Sequence, residues 1–117
     1  MVDGQTAVNV LGQSDDSLSA PGPIYTKLTI HNAPHRLGLN SPTLGIVIDS
    51  TNHRLFLSDS SNNRVLEYDL NNSNLLSDRI PDHVLGQLNF YSNAAASTQI
   101  GLSNPVGLAF DATNNRL

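Results

Sequence analysis

Leu44-Gly45-Ile46-Val47-Ile48-Asp49-Ser50-Thr51-Asn52-His53-Arg54-Leu55 returns 62 residues later as Val106-Gly107-Leu108-Ala109-Phe110-Asp111-Ala112-Thr113-Asn114-Asn115-Arg116-Leu117. The shared Gly, Asp, Thr, Asn, Arg and Leu anchor the register, and apolar residues exchange between them. Flanking matches extend the repeat. Gly38-Leu39 and Pro42 precede the first copy; Gly101-Leu102 and Pro105 precede the second, at an offset of 63. Val10-Leu11-Gly12-Gln13 returns as Val84-Leu85-Gly86-Gln87, at an offset of 74. The offsets differ because the connector shortens, from Gln13–Leu39 to Gln87–Leu102, while the core keeps its length. A repeat unit with a variable loop behaves this way.

The signals inside the unit are strand and turn. Ile46-Val47-Ile48 is an aliphatic run that ends at Asp49, and Ser50-Thr51-Asn52-His53 is a polar turn. Leu55-Phe56-Leu57 follows and stops at Ser58-Asp59; Ser60-Ser61-Asn62-Asn63 is the next turn. Val65-Leu66-Glu67-Tyr68 reads as a third strand, in which Glu67 marks a wetter face. The polar stretch Asn71 to Asp82 leads to a fourth strand around His83-Val84-Leu85. A 3.6-residue apolar period is absent, and Ala94-Ala95-Ala96 is too short to hold a helix. The class is therefore all-β. Four short antiparallel strands per repeat predict a β-propeller blade, with neighbouring units supplying the core that one sheet lacks.

On this reading residues 44–87 form a complete blade, residues 1–13 the end of an upstream blade, and residues 105–117 the start of the next, together a partial propeller. The run Pro105-Val106-Gly107-Leu108-Ala109-Phe110-Asp111 resembles the first strand of an NHL repeat. Leu55-Phe56-Leu57-Ser58-Asp59-Ser60-Ser61-Asn62-Asn63-Arg64-Val65 resembles that repeat's second strand, turn and third strand. Val-Leu-Gly-Gln is similar to the outer-strand motif of long-blade bacterial members. The resemblance implies a propeller of about six blades, in a family with protein-binding, RNA-binding and lyase-type versions. The pattern stops at Arg116-Leu117, where the first copy runs on into Phe56-Leu57, so the chain reads as a fragment of a larger propeller. The alternative is a complete chain that closes a ring by self-association.

Composition sets further bounds. The 117 residues carry 6 Lys and Arg against 10 Asp and Glu, a net charge of −4, which argues against a nucleic-acid backbone binder. Cysteine is absent, which excludes disulfides, thiolate nucleophiles and cysteine zinc sites. Met1 to Val10 has no basic region followed by an apolar core, so no signal peptide is read there, and no apolar run approaches the roughly 20 residues of a membrane helix. The compartment stays open.

The polar residues that recur favour a scaffold role. Asp49 and Asp111 sit at equivalent strand ends, where a carboxylate accepts turn amides. Asp59 and Arg64 bracket a turn and are placed to pair across it. Arg54 and Arg116 are repeat equivalents, and each unit meets the same packing problem. His31 and His35 have a helical metal-pair spacing, but Pro34 lies between them. Asn71-Asn72-Ser73 matches the N-glycosylation pattern without a secretory context. Ile24 to Ile30 reads as a short extra strand inside the first connector. Phe90 and Tyr91 fall on the second connector, as loop contacts for a ligand or as aromatics tucked against the blade. No catalytic, metal or cofactor-binding residue is assigned. The expected function is a non-catalytic propeller scaffold that binds a protein or small ligand through its loops. The alternative is an enzyme, a lyase or hydrolase, whose active site lies mainly in blades outside this chain.

Overall fold

The computed structural model describes Asp3, Leu11, Gly12, residues 36–42 and residues 45–117. Four strands form one antiparallel sheet in chain order: β1 (Ile46–Asp49), β2 (Arg54–Asp59), β3 (Arg64–Asp69) and β4 (His83–Leu85). The strands include the polar residues at their ends as well as the apolar triplets. Arg54 opposes Asp49, and Arg64 opposes Asp59, so opposite charges close both hairpins.

Alternation along the strands gives the sheet two distinct faces. Ile46 opposes Leu57, Leu57 opposes Leu66, and Leu66 opposes Val84, which puts these residues on one face. There Leu55, Leu57, Leu66, Tyr68 and Leu70 cluster with Leu39, and Leu11, Val84 and Phe90 pack against them. Leu66 is fully buried. Burying one such side chain contributes roughly 1.5–3 kcal/mol, so this cluster is the main apolar support of the sheet. The other face carries Phe56 and Val65 among Asp49, Arg54, Ser58 and Glu67. Segment 105–115 lies against it. The Ser58 hydroxyl donates to the carbonyl of Val106 at 3.0 Å, and the Ser60 hydroxyl to that of Pro105 at 2.6 Å. The rings of Phe56 and Phe110 stack at 5.8 Å.

The turns explain themselves by residue type. His53 ends the β1–β2 turn at φ 55°, and Asn63 ends a single 3-10 turn, Ser60–Asn62, at φ 53°. Asparagine tolerates this left-handed region better than most side chains. In the β3–β4 loop the Asn71 side-chain oxygen accepts from the Ser73 and Leu75 amides, and Asn74 takes φ 56°.

The repeat seen in sequence recurs in backbone geometry. Positive φ falls on Ser41 and Asn104, on His53 and Asn115, and on Gly12 and Gly86, all equivalent pairs. A Cβ on Gly12 would lie 2.4 Å from Leu39 Cγ; one on Gly86 would lie 2.5 Å from Leu102 Cγ. Glycine is needed at both places, for its φ and for the close approach.

Among the described residues, segment 105–110, read above as a strand, joins no ladder. A strand needs a hydrogen-bonded neighbour, and the second copy has only its first rung, in which Asp111 and Arg116 exchange amide bonds at 2.8 and 3.1 Å. Most of residues 1–13, the Ile24–Ile30 strand, His31 and His35 lie outside the described residues.

Candidate functional site

Two carboxylate–guanidinium clusters and one aromatic loop hold the candidate residues. The first cluster sits where the 3-10 turn brings β2 back into β3. Asp59, Asn62 and Arg64 are fully buried there. Asp59 Oδ2 accepts from Arg64 Nε at 2.7 Å and from Asn62 Nδ2 at 2.9 Å, and Oδ1 accepts from the Asn40 amide at 2.6 Å. The rest of the Arg64 guanidinium reaches outward, donating to the carbonyl of Gly38 at 2.9 Å and to that of Phe90. One side chain thereby ties together three segments distant in sequence. Neighbouring polar groups extend the tie. Gln87 Nε2 donates to the carbonyls of Asn63 and Ala94, and the Asn63 side chain bonds the Asn93 carbonyl and the Asn104 amide.

The second cluster lies at the opposite end of β2. Asp49 Oδ1 accepts from the amides of Thr51 and Asn52; Oδ2 accepts from Asn52 Nδ2 and from Arg54 Nε and Nη2. Burial pushes the Asp49 carboxyl up. The hydrogen bonds from Arg54 and Asn52, with the Arg54 charge, outweigh that and bring its pKa down to about 2. Asp111 repeats the turn, accepting from Thr113 and Asn114 amides and from Asn114 Nδ2 at 2.7 Å. The Asn114 bonds hold its carboxyl below the usual carboxylate range. Arg54 links the copies. Its Nη2 also donates to Asn115 Oδ1, and its guanidinium lies 5.3 Å from the Phe56 ring and 5.5 Å from Phe110. Arg116, its repeat equivalent, is exposed and bonds through its backbone to Asp111.

A general base needs a lone pair aimed at substrate and a pKa near the working pH. Asp49 has neither, since its oxygens point into its own turn. Asp59 is likewise surrounded by donors from its own chain. These groups order backbone, which is what their hydrogen bonds do. Among the described residues no three His, Asp or Glu side chains converge as a metal site would require, and no helix is long and apolar enough to cross a membrane.

The aromatic pair divides. Phe90 packs against the core cluster, with the Arg36 guanidinium 5.2 Å from its ring; Arg36 also donates to the Pro81 carbonyl. Tyr91 is 61% exposed on the same loop, and Leu88 is 85% exposed. Leu88 escaped notice in sequence because a lone leucine in a polar loop carries no period. Gln87, Asn63, Ser58 and Ser60 also escaped, although Gln87 recurs as Gln13 in the repeated tetrapeptide.

Two hollows among the described residues open beside the sheet. One, of about 420 Å³, is lined by Val65, Leu85, Leu102, Leu108, Ala109 and Leu117 among others. The other, of about 300 Å³, is lined by Leu11, Leu39, Pro42, Gly45, Ile46 and Leu57. Leu11, Leu39, Pro42, Gly45 and Ile46 are the repeat equivalents of Leu85, Leu102, Pro105, Gly107 and Leu108, so both are one structural position occurring twice. Comparison of the chain with protein-family models, curated proteins and solved structures returns no match.

Proposed function

We propose that the chain is a segment of an NHL-type β-propeller that acts as a non-catalytic scaffold and binds a protein or small ligand through its loops. The observation that carries this reading is the second copy of the repeat laid across the sheet. Phe110 stacks on Phe56, and Arg54 reaches Asn115, so the second copy covers the mixed polar and aromatic face of the first. Stacked units that bury one another's faces are the working principle of repeat scaffolds. The recurring carboxylates and arginines serve turns and contacts between units. Binding then falls to loops carried on the rigid sheet, and the 86–93 loop presents Leu88 and Tyr91 to solvent.

The test is affinity capture from cell extract by the immobilised chain and by a Leu88→Ala/Tyr91→Ala variant, with bound species identified by mass spectrometry. A specific partner lost from the variant, with an unchanged circular dichroism spectrum, is the expected result. Capture identical to wild type overturns the assignment of this loop.

A further inference from the structure

Asn62 is fully buried, and its amide is satisfied at one end only. Nδ2 donates to Asp59 Oδ2 at 2.9 Å, while Oδ1 is buried and accepts from no donor among the described residues. Turning the amide over does not relieve this. It would aim Oδ1 at the Asp59 carboxylate, acceptor against acceptor, and forfeit the Nδ2 bond. Asp59 therefore fixes the orientation, and Oδ1 faces away from it into the interior. Protein interiors leave few buried acceptors without a partner, because the hydration lost on burial has then not been replaced.

We propose that Asn62 Oδ1 anchors an internal water site, in which one ordered water donates to Oδ1 and joins the Asp59–Arg64 cluster. The chemistry of the occupant follows from its neighbours. The anchoring atom is an acceptor, so its partner is a donor. Asp59 is already paired with Arg64, which donates to the same Oδ2 at 2.7 Å, so no charge is left over to hold a metal or ammonium ion in the interior. Full burial of Asn62, Asp59 and Arg64 leaves no approach for a larger ligand. The smallest neutral donor remains, and that is water. Its second proton has acceptors in the same cluster. The carbonyls of Gly38 and Asn40 accept from Arg64 Nη2 and from the Ser61 amide, and a carbonyl oxygen has two lone pairs. The site also explains why two asparagines stand side by side. Asn63 takes the left-handed backbone, at φ 53°, whereas Asn62 uses both ends of its amide, one on Asp59 and one on the water. The inference is independent of the ligand-binding loop and holds whatever the loops bind.

The test is a crystal structure of the whole chain at near-atomic resolution, read with a water-selective NOE experiment in solution. The expected result is a water about 2.8 Å from Asn62 Oδ1. It should be as well ordered as the protein atoms around it and bonded to at least one further protein group. In solution the Asn62 Hδ2 protons should show an NOE to water with the sign of a molecule that tumbles with the chain. The side-chain amide of Asn72, which is exposed, is the control and should not show it. No density at that position, an Oδ1 that accepts from a protein donor instead, or an Asn62 signal no different from that of Asn72 each overturns the proposal.

Discussion

Replacing Arg64 by methionine isolates the worth of the buried cluster. Arg64→Met keeps the unbranched stem and deletes the guanidinium. The Asp59 carboxylate then stays fully buried with only the Asn40 amide and Asn62 Nδ2 as donors, and the carbonyls of Gly38 and Phe90 lose their shared partner. Removing one member of a buried ion pair costs about 3–5 kcal/mol, because the remaining charge has been taken from water without compensation. Domains of this kind are stable by only about 5–15 kcal/mol in total, so the variant sits near the limit of folding. Urea denaturation followed by far-UV circular dichroism reads the effect. With a slope of roughly 2 kcal/mol per molar, the midpoint should fall by roughly 2 M. Arg64→Lys keeps the charge but loses the planar fork that reaches two carbonyls at once, and should fall between wild type and methionine. Adding Asp59→Asn to Arg64→Met removes the stranded charge. The double variant should be more stable than the sum of the two single losses by over about 1 kcal/mol. An Arg64→Met midpoint within about 0.5 M of wild type would refute the view that this cluster holds the loops.

Three further outcomes follow from other contacts. Gly86→Ala must place a methyl group at φ 84° and against Leu102, and Gly12→Ala must do the same at φ 77° against Leu39; each should lower stability by about 1–3 kcal/mol in thermal unfolding. Phe110→Ala removes the half-buried ring that stacks on Phe56, and should cost roughly 2 kcal/mol in the same assay, with Tyr91→Ala within about 0.5 kcal/mol of wild type. A pH titration of stability should show two limbs. Asp49, with pKa lowered from 3.8 to about 2, contributes stability that is present above pH 3.8 and lost as pH falls through about 2; Asp111, also lowered, acts in the same direction. Burial raises the Tyr68 phenol above its ordinary value of 10.0, so its contribution is present below pH 10 and lost as pH rises beyond that. A smaller fall in stability between pH 5 and about pH 2.5 in Asp49→Asn than in wild type, with the Asp111 share kept in both, is the check on the acid limb.

The sheet was legible because short aliphatic runs alternate with clusters of Ser and Asn, and each local choice agrees with the next. Asp59 and Arg64 are five residues apart across a tight turn, so their contact is a local matter. The partners that make the cluster a hub are not. The carbonyls of Gly38 and Phe90 each lie 26 residues from Arg64, and no side-chain pattern announces a backbone acceptor. The left-handed turn residues show the same limit. Asn63 and Asn115 carry a signal of their own, but Ser41 and His53 take positive φ because their units share a backbone path, not because of residue type. The 105–110 segment repeats the sequence of a strand without its ladder, since pairing depends on a neighbour that local pattern does not supply.

The cover over Phe56 comes from Phe110, 54 residues further along the chain. Synthesis is directional, so the ring that shields Phe56 is made after it. At about 5–20 residues per second, that delay is roughly 3–11 s on the ribosome. In its later part, once Leu85 is made, the four-stranded sheet has all its own residues but keeps one aromatic face open. Chaperone demand should therefore track the pace of translation between residues 56 and 110: slow codons there lengthen the exposure, and fast ones shorten it.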